Sequence, residues 1–225
     1  MKVSVIIPTF NEAAILEKTL AGIVAHGPHE IIIADGGSRD GTLAIAGKFA
    51  SRVVSSPPGR ALQMNAGAQT ATGELLLFLH ADSRVDSASY RKMVTVMQRG
   101  GKIGGAFGLA IESEKISLRL ISTLATLRSR YLHLVYGDQA IFARTVVFRE
   151  MGGFSPIPIC EDLDFFRRLM KRGPIVLLEE KALTSARRWL AEGILFTTAR
   201  NTVIAALFLM GFPPKILSKW YMVIR

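Results

Sequence analysis

The chain has 225 residues, of which 49% are hydrophobic and 20% are charged, a composition that suits one large α/β domain and argues against global disorder. A formal net charge of +10 favours anionic partners, but no zinc-finger, basic-zipper or RNA-binding signature accompanies it, so we predict no nucleic-acid partner. The single cysteine, Cys160, excludes an internal disulfide and is expected to be a packing residue.

Short apolar runs alternate with helical patterns in the first half of the chain. Strands are predicted over residues 3–7, 30–34, 52–55 and 75–79. Helices are predicted over residues 12–25, 42–50, 60–69 and 86–98, with Asn11 as the N-cap of the first. Because apolar strands separated by helices are typical of a parallel sheet covered on both faces, we predict an α/β fold with ligands at the carboxyl ends of the strands.

The second half has a mixed pattern. Strands are predicted over residues 103–111, 139–143 and 175–178, and a helix over residues 162–171. A further helix is indicated by an apolar stripe at spacings of four and three, formed by Leu120, Leu124, Leu127, Tyr131 and Leu134. The sheet is therefore expected to be mixed and mainly parallel.

Residues 194–212 are strongly apolar but contain Arg200 and Asn201, and the uninterrupted part is too short to span a bilayer. A tail with cations and aromatic residues follows, containing Lys215, Lys219, Trp220, Tyr221 and Arg225. This combination suits a helix lying at an anionic membrane surface, or else a helix packed on the domain or in a dimer contact. The apolar N-terminal run is too short for a signal-peptide core, so a cytoplasmic protein is expected.

Polar motifs follow the predicted strands. Asp35 opens a Gly-rich turn, residues 35–42, whose carboxylate could accept hydrogen bonds from a nucleobase, although Asp and Gly also build ordinary turns. Asp82 follows the fourth strand and could bind Mg²⁺ or Mn²⁺. His80 could be a second ligand, a donor to phosphate or a packed histidine. Arg60, at a helix start, could reach a phosphate or act as a solvated cap.

Three acids open the helix predicted after Cys160. Glu161, Asp162 and Asp164 either complement the helix dipole or include a general base that faces a cleft. Glu161 and Asp164 could share a face, with Asp162 pointing elsewhere, and spacing alone does not choose between them.

Taken in order over about residues 3 to 190, these motifs resemble the family 2 glycosyltransferases. The resemblance implies a GT-A fold, a nucleotide-sugar donor that we expect to be a UDP-sugar, a divalent cation (Mg²⁺ or Mn²⁺), a hydroxyl acceptor and inversion at the anomeric carbon. It also implies a GT-A domain over residues 1–192, followed by the helical tail of residues 193–225. Asp82 would be the metal ligand and Asp162 the general base. The nucleotide would be bound by Pro8, Asn11, Glu12, Asp35 and Arg60.

The sequence departs from the family pattern at two motifs. His80 replaces the first acid of the usual Asp-x-Asp metal motif, a variant that also resembles enzymes of arsenosugar biosynthesis. Ser185 replaces the Gln of the Gln-x-x-Arg-Trp element of processive synthases, so a single transfer is expected rather than polymerisation. The resemblance suggests contacts to the diphosphate or the acceptor from His80, Asp138, Glu161, Arg187, Arg188 and Trp189. The alternative for the last three is a buried tryptophan with surface arginines.

Two other functions are consistent with parts of the sequence. A nucleotidyltransferase or dehydrogenase on a related sheet would normally carry a Gly-rich loop after the first strand, but residues 8–12 contain no glycine. A non-catalytic, membrane-associated binding protein would use the basic half and the tail. Release of a nucleoside diphosphate would distinguish these alternatives from a glycosyltransferase.

Overall fold

An eight-stranded sheet forms the centre of the computed structural model, which describes residues 1–221. Arg225 of the predicted basic tail lies outside the described residues. The strands, in chain order, are β1 (Val3–Thr9), β2 (Glu30–Asp35), β3 (Arg52–Ser55), β4 (Leu75–Phe78), β5 (Ser83–Val85), β6 (Gly104–Glu112), β7 (Phe142–Arg144) and β8 (Ile175–Ser185).

The strand order in the sheet is β3-β2-β1-β4-β7-β6-β8-β5. β1 to β4 pair in parallel, as do β6 and β8, whereas β7 and β5 are antiparallel to their neighbours. This arrangement confirms the predicted mixed, mainly parallel sheet.

Ten helices flank the sheet within the described part of the chain, which also contains 3₁₀ turns at Gly137–Gln139 and Ser218–Trp220. They are α1 (Ala13–Val24), α2 (Thr42–Phe49), α3 (Arg60–Thr70), α4 (Ser87–Gln98), α5 (Ile116–Leu132), α6 (Thr145–Glu150), α7 (Glu161–Arg172), α8 (Arg187–Glu192), α9 (Ile194–Leu209) and α10 (Pro214–Leu217).

The core lies on both faces of the sheet. Val5 and Ile7 of β1 pack with α1 and α4, whereas Ile6 packs on the opposite face with α3 and α7. Because successive side chains of a strand point to opposite faces, a strand covered on both sides must be apolar at every position. The apolar run that predicted β1 therefore reflects two core layers.

Several local predictions were wrong in detail. Asn11 does not cap α1; it has φ 55° and its side-chain oxygen accepts a hydrogen bond from Arg39 N–H, while Glu12 holds the N-cap position. The strand predicted over 139–143 begins only at Phe142, because Ala140 has φ 47° and ends the preceding 3₁₀ turn. The strand predicted over 175–178 extends to Ser185, through polar residues that pair with β5 and β6.

The helix indicated by the leucine stripe is α5. Its stripe residues from Leu120 to Tyr131 are exposed, whereas Leu134 lies beyond the helix and is half-buried. The buried face carries Leu118 and Ala125 together with hydroxyl side chains, because the backbone N–H groups of Leu109 and Ile111 in β6 donate to the hydroxyls of Thr126 and Ser122. A helix that must satisfy backbone donors buries hydroxyls there. The leucines of the stripe within α5 consequently lie on the outside.

The C-terminal segment is helical and packs on the preceding helix. Arg200 of α9 is buried and forms a 2.5 Å ion pair with Glu192 of α8. Within residues 1–221, no helix combines the length and the apolar character needed to cross a bilayer. The division into residues 1–192 and 193–225 remains a prediction.

Candidate active site

Two adjoining hollows form one cleft beside β4, α3 and α7. The first is lined by Asp138, Asp162 and Trp189, and the second by Pro8, Glu12 and Arg187. The side chains that line both hollows are Arg60, His80, Asp82, Ile159, Glu161, Arg188 and Tyr221. The predicted metal ligand and the predicted base therefore face the same space.

Asp82 is placed by the start of β5. Its backbone carbonyl accepts a hydrogen bond from Ser185 N–H over 3.1 Å, and the Ser83 hydroxyl donates to Oδ1 over 3.4 Å. Arg187 lies with Nη2 3.9 Å from Oδ2 of Asp82 and donates from the same nitrogen to Glu12 over 3.1 Å. This guanidinium thus connects the loop after β1 with the loop after β4.

Asp162, in the first turn of α7, accepts backbone hydrogen bonds at both oxygens. Gly137 N–H donates to Oδ2 over 2.5 Å and Leu163 N–H donates to Oδ1 over 2.7 Å. A Cβ atom at Gly137 would lie 2.7 Å from Nε2 of His80 and 3.2 Å from Oδ2 of Asp162. Only a glycine lets these two side chains approach the same backbone.

Burial perturbs the pKa of several titratable groups of the cleft, among them His80, Asp138 and Glu161. Burial and the nearby Arg60 charge lower the pKa of His80 to about 4, so its ring is neutral at neutral pH. Burial raises the pKa of Asp138 to about 6, against the opposing effect of Arg128. Burial, with the Asp162 charge, raises the pKa of Glu161 to about 7. A cluster of titratable side chains whose pKa values are shifted by burial in a cleft is typical of a functional site.

Three buried polar atoms of the first hollow have no hydrogen-bond partner among residues 1–221. They are Oδ1 of Asp138, Nη1 of Arg188 and Oδ1 of Asn201. Because buried polar groups are nearly always paired in folded proteins, unpaired groups around a hollow indicate a place prepared for a polar ligand.

Two of the predicted nucleotide-binding residues lie behind the cleft. Asp35 is 2% exposed and accepts hydrogen bonds from Thr9, Gly37 and Ser38. Asn11 holds the same Gly-rich turn, and neither residue lines the two hollows. Pro8, Glu12 and Arg60 do line the second hollow. The roles of all five in nucleotide binding remain predictions.

The structure distinguishes the three acids that open α7. Glu161 and Asp162 line the cleft, and Oε1 of Glu161 lies 4.0 Å from Nη1 of Arg60. Asp164 instead pairs with Arg168 over 2.8 Å and accepts from the Ser155 hydroxyl. The choice that spacing left open is thus answered for the cleft, which Asp162 lines together with Glu161 and Asp164 does not.

The Arg-Arg-Trp sequence forms the start of α8. Trp189 is nearly buried, lines the first hollow and donates from Nε1 to the Thr198 hydroxyl over 3.3 Å. Arg188 stacks on the Tyr221 ring at 4.5 Å and lines both hollows. Arg187, the preceding residue, lines the second hollow. Both arginines therefore face the cleft, and neither is exposed only to bulk solvent.

A family model described as glycosyl transferase family 2 matches residues 4–148, which is more than half of the chain. The chain belongs to glycosyl transferase family 2. The match includes Pro8 of β1, Asp35 of β2 and Asp82 of the loop after β4, and it makes the protein an enzyme of this family. Membership of this enzyme family decides against the two alternative functions, a nucleotidyltransferase and a non-catalytic binding protein.

Two mycobacterial glycosyltransferases illustrate the sequence likeness. A "PGL/p-HBAD biosynthesis glycosyltransferase" of Mycobacterium bovis is 42% identical over 94 residues, which make up 38% of this chain and 37% of that protein. An uncharacterized glycosyltransferase of Mycobacterium tuberculosis is 29% identical over 102 residues, or 45% of this chain and 46% of that protein. The matches thus span less than half the length of these relatives.

Solved structures of two other proteins share the fold. S. aureus TarS, residues 1–349, aligns with a TM-score of 0.66 and 17% identity, covering 83% of this chain and 61% of that one. Glucosyl-3-phosphoglycerate synthase from M. tuberculosis, in complex with Mn²⁺, UDP and glucosyl-3-phosphoglycerate, aligns with a TM-score of 0.60 and 21% identity, covering 80% of this chain and 70% of that one. At such identities the likeness establishes the fold, and it confirms the predicted GT-A-like architecture.

The residues of this family 2 glycosyltransferase fit a divalent cation shared with a substrate. Within residues 1–221 no group of three or more His, Cys, Asp or Glu side chains is arranged to hold a metal ion. Asp82 offers one carboxylate to the cleft, and neutral His80 adjoins it. Because Mg²⁺ is often held by one or two carboxylates together with substrate phosphates and water, this small donor set is sufficient once a diphosphate is present.

Several residues that line the cleft of this glycosyltransferase were not predicted from the sequence. Gln63 is buried and donates to the carbonyls of Thr9 and Ala34, which fixes the wall of the second hollow. Tyr221 lines both hollows from the far end of the chain, where no local pattern indicated it. Cys160 packs against the Ile159, Ile204 and Leu217 cluster and burial raises its pKa to about 12, as expected for a packing residue.

Proposed function

We propose that this enzyme transfers a glycosyl group from a UDP-sugar to a hydroxyl acceptor in a single, inverting and non-processive step. The observation that carries the proposal is the shared cleft, into which Asp82 and Asp162 both project although 80 positions separate them in the chain. A cleft with a metal-binding carboxylate, a second carboxylate and several arginines suits chemistry at an anionic leaving group.

The donor is assigned to the second hollow and its junction with the first. Pro8, Glu12 and the buried Gln63 would border the nucleoside, with Asp35 behind them shaping the base pocket through Thr9. Arg60 and Arg188 line both hollows, where their charges would bind the diphosphate, and Arg187 would support them. UDP as the nucleotide is supported by the fold neighbours, since TarS was solved with UDP and with UDP-GlcNAc.

The cation would be Mg²⁺ or Mn²⁺, held by Asp82 with His80 beside it. When bound, it would neutralise charge on the departing nucleoside diphosphate. The synthase from M. tuberculosis was solved with Mn²⁺ and with Mg²⁺ in the presence of UDP, which supports either ion.

The acceptor is assigned to the first hollow. Asp162, fixed by Gly137 N–H, would take the proton from the acceptor hydroxyl as its oxygen attacks the anomeric carbon. The unpaired oxygens of Asp138 and Asn201 would accept hydrogen bonds from the acceptor. Trp189 would pack on a sugar ring, and Glu161 would hold Arg60 in place.

We also propose a cytoplasmic location. Contact of residues 193–225 with an anionic membrane surface is proposed on the composition of the tail. None of the relatives described above supports the arsenosugar subgroup, so no subgroup within the family is proposed.

A panel of nucleotide sugars tests the proposal directly. Release of nucleoside diphosphate is measured with Mn²⁺ and with EDTA, for the wild type, for Asp82→Asn and for Glu17→Gln on the exposed side of α1 as a matched control. We expect UDP release that EDTA and Asp82→Asn abolish and Glu17→Gln leaves unchanged. If the rate of UDP release changes neither on adding EDTA nor in Asp82→Asn, the assigned metal site is excluded.

A further inference from the structure

The exposed sides of α5 and α9 carry large apolar side chains. On α5, Ile116 is 82% exposed, and on α9 Leu195 is 85% exposed. We name this set of exposed side chains the outer face, which consists of Ile116, Leu120, Leu124, Leu127, Tyr131, Leu195, Phe196, Val203 and Met210. Isolated apolar residues on a surface are ordinary, but nine on two helices require an explanation.

The two helices of the outer face are neighbours. Leu118 and Ala125 of α5 share one apolar cluster with Trp189 of α8 and Ile194 of α9. At one end, Lys115 before α5 borders the same shallow hollow as Leu195 and Phe196. The outer face is therefore formed by adjoining elements rather than by scattered positions.

Each helix exposes its apolar side in a regular stripe. On α5 the exposed positions recur at spacings of four, four, three and four, and on α9 Phe196, Val203 and Met210 recur at seven. Residues at these spacings lie on one side of a helix. The buried side of α5 carries Leu118, Ala125 and the hydroxyls that bind β6, so rotating this helix to hide its exposed leucines would leave backbone donors of β6 unpaired.

Exposed cations lie beside the outer face, at the start of α5 and on α10 and its following turn, where α10 contacts α9. Residues 193–225 contain no acidic residue, and the exposed Lys215 and Lys219 form no ion pair within the described part of the chain. Lys115 at the start of α5 is likewise exposed and without an ion pair there. Apolar helix faces bordered by unpaired cations match the interface of an anionic bilayer, where acyl chains and acidic headgroups lie at adjacent depths.

From these observations we propose that the outer face docks the enzyme on the surface of an anionic lipid bilayer. Both helices would lie in the interface without spanning it, with Lys115, Lys215 and Lys219 at the headgroups. A second copy of the chain is a poorer occupant, because a two-fold contact would bring the same unpaired cations together. The proposal goes beyond the transfer reaction and does not depend on it.

Vesicle co-sedimentation of the full chain tests this docking. Vesicles of phosphatidylglycerol with phosphatidylcholine are compared with pure phosphatidylcholine, using the wild type and the double variant Leu124→Glu/Val203→Glu. The matched control is Val146→Glu/Leu43→Glu, which makes the same change at exposed apolar positions of α6 and α2. The charge variant is Lys215→Glu/Lys219→Glu, and its control is Lys48→Glu/Lys92→Glu on α2 and α4.

We expect the wild type to bind anionic vesicles and to bind neutral ones at least about tenfold more weakly. The outer-face and charge variants should each lose about tenfold or more in partitioning, while both controls bind as the wild type does. UDP release measured without vesicles should be equal in all variants, which separates this test from that of the transfer reaction. The proposal is overturned if the wild type does not bind anionic vesicles or if the controls lose binding as much as the outer-face and charge variants do. It is also overturned if light scattering shows that the wild type is an oligomer and the outer-face variant is a monomer.

Discussion

The backbone N–H of Gly137 donates a 2.5 Å hydrogen bond to Oδ2 of Asp162, joining two segments that lie 25 residues apart in the chain. Nε2 of His80 reaches the same glycine, since an added Cβ would lie 2.7 Å from it. Segments from β4, from the loop before β7 and from the start of α7 therefore meet at one backbone position. This contact brings together the residues around which the reaction centre is proposed.

Gly137→Ala is expected to reduce turnover at least about tenfold, because the new methyl group must displace His80 and Asp162 from their positions. The measurement is UDP release or glycosyl transfer at saturating donor, together with the melting temperature. Gly22→Ala is the matched control, since a Cβ there contacts nothing within 4 Å and alanine favours a helix. Equal activity of the two variants would show that the Gly137 contact is not needed.

Asp162→Asn is expected to lower transfer by a factor of about 100 or more while donor affinity changes little, because the amide cannot accept the acceptor's proton. Titration calorimetry with UDP and Mn²⁺ measures the affinity, and product formation measures the transfer. Asp164→Asn changes the neighbouring acid outside the cleft and should retain transfer. Normal transfer by Asp162→Asn would refute its assignment as the base.

Asp138 should make the stability of the ligand-free protein pH-dependent. Burial raises its pKa from 3.8 to about 6, so between these values the folded protein retains a proton that the unfolded chain has released. Stability therefore falls as the pH rises through this window, by about 1–3 kcal/mol. Denaturant titrations at pH 4 and pH 8 should show this loss in the wild type and a smaller one in Asp138→Asn. Identical pH profiles would contradict the raised pKa.

Arg200→Met should destabilise the protein by about 3 kcal/mol, because it leaves the buried Glu192 carboxylate without its guanidinium partner. Arg119→Met removes the exposed partner of Glu114 and should cost less than about 1 kcal/mol. Urea denaturation followed by circular dichroism compares the two. If both variants unfold at the same urea concentration, the pair does not anchor α9 to α8.

The order of strands and helices in the first half was predictable because β1, β2 and β4 are buried on both faces and read as continuous apolar runs. β5 was missed, since three residues of mixed polarity carry no period. The orientation of α5 could not be predicted, because its partner is a set of backbone donors on β6 that only the assembled sheet presents.

The part of the candidate site that lies at the ends of strands could be predicted from the sequence. His80 and Asp82 follow β4 directly, and the rule that ligands lie at carboxyl ends placed them in the cleft. The rule does not indicate which carboxylates will accept hydrogen bonds from their own turn instead of facing the ligand. Asp35 was therefore expected in the cleft, but it accepts a hydrogen bond from Thr9 and lies behind that residue. Asn201 reaches the cleft from α9 and Tyr221 from the residue after the last 3₁₀ turn, and no local pattern marks such residues.

A crystal structure with Mn²⁺ and UDP tests the central claim most directly, because the anomalous signal of manganese locates the ion without assumptions about the protein. We predict one manganese peak within coordination distance of Asp82 and of the UDP diphosphate, with Arg60 or Arg188 on the phosphates and Asp162 facing the same space. Manganese or UDP bound away from Asp82, or a diphosphate separated from Asp162 by packed side chains, would contradict the account.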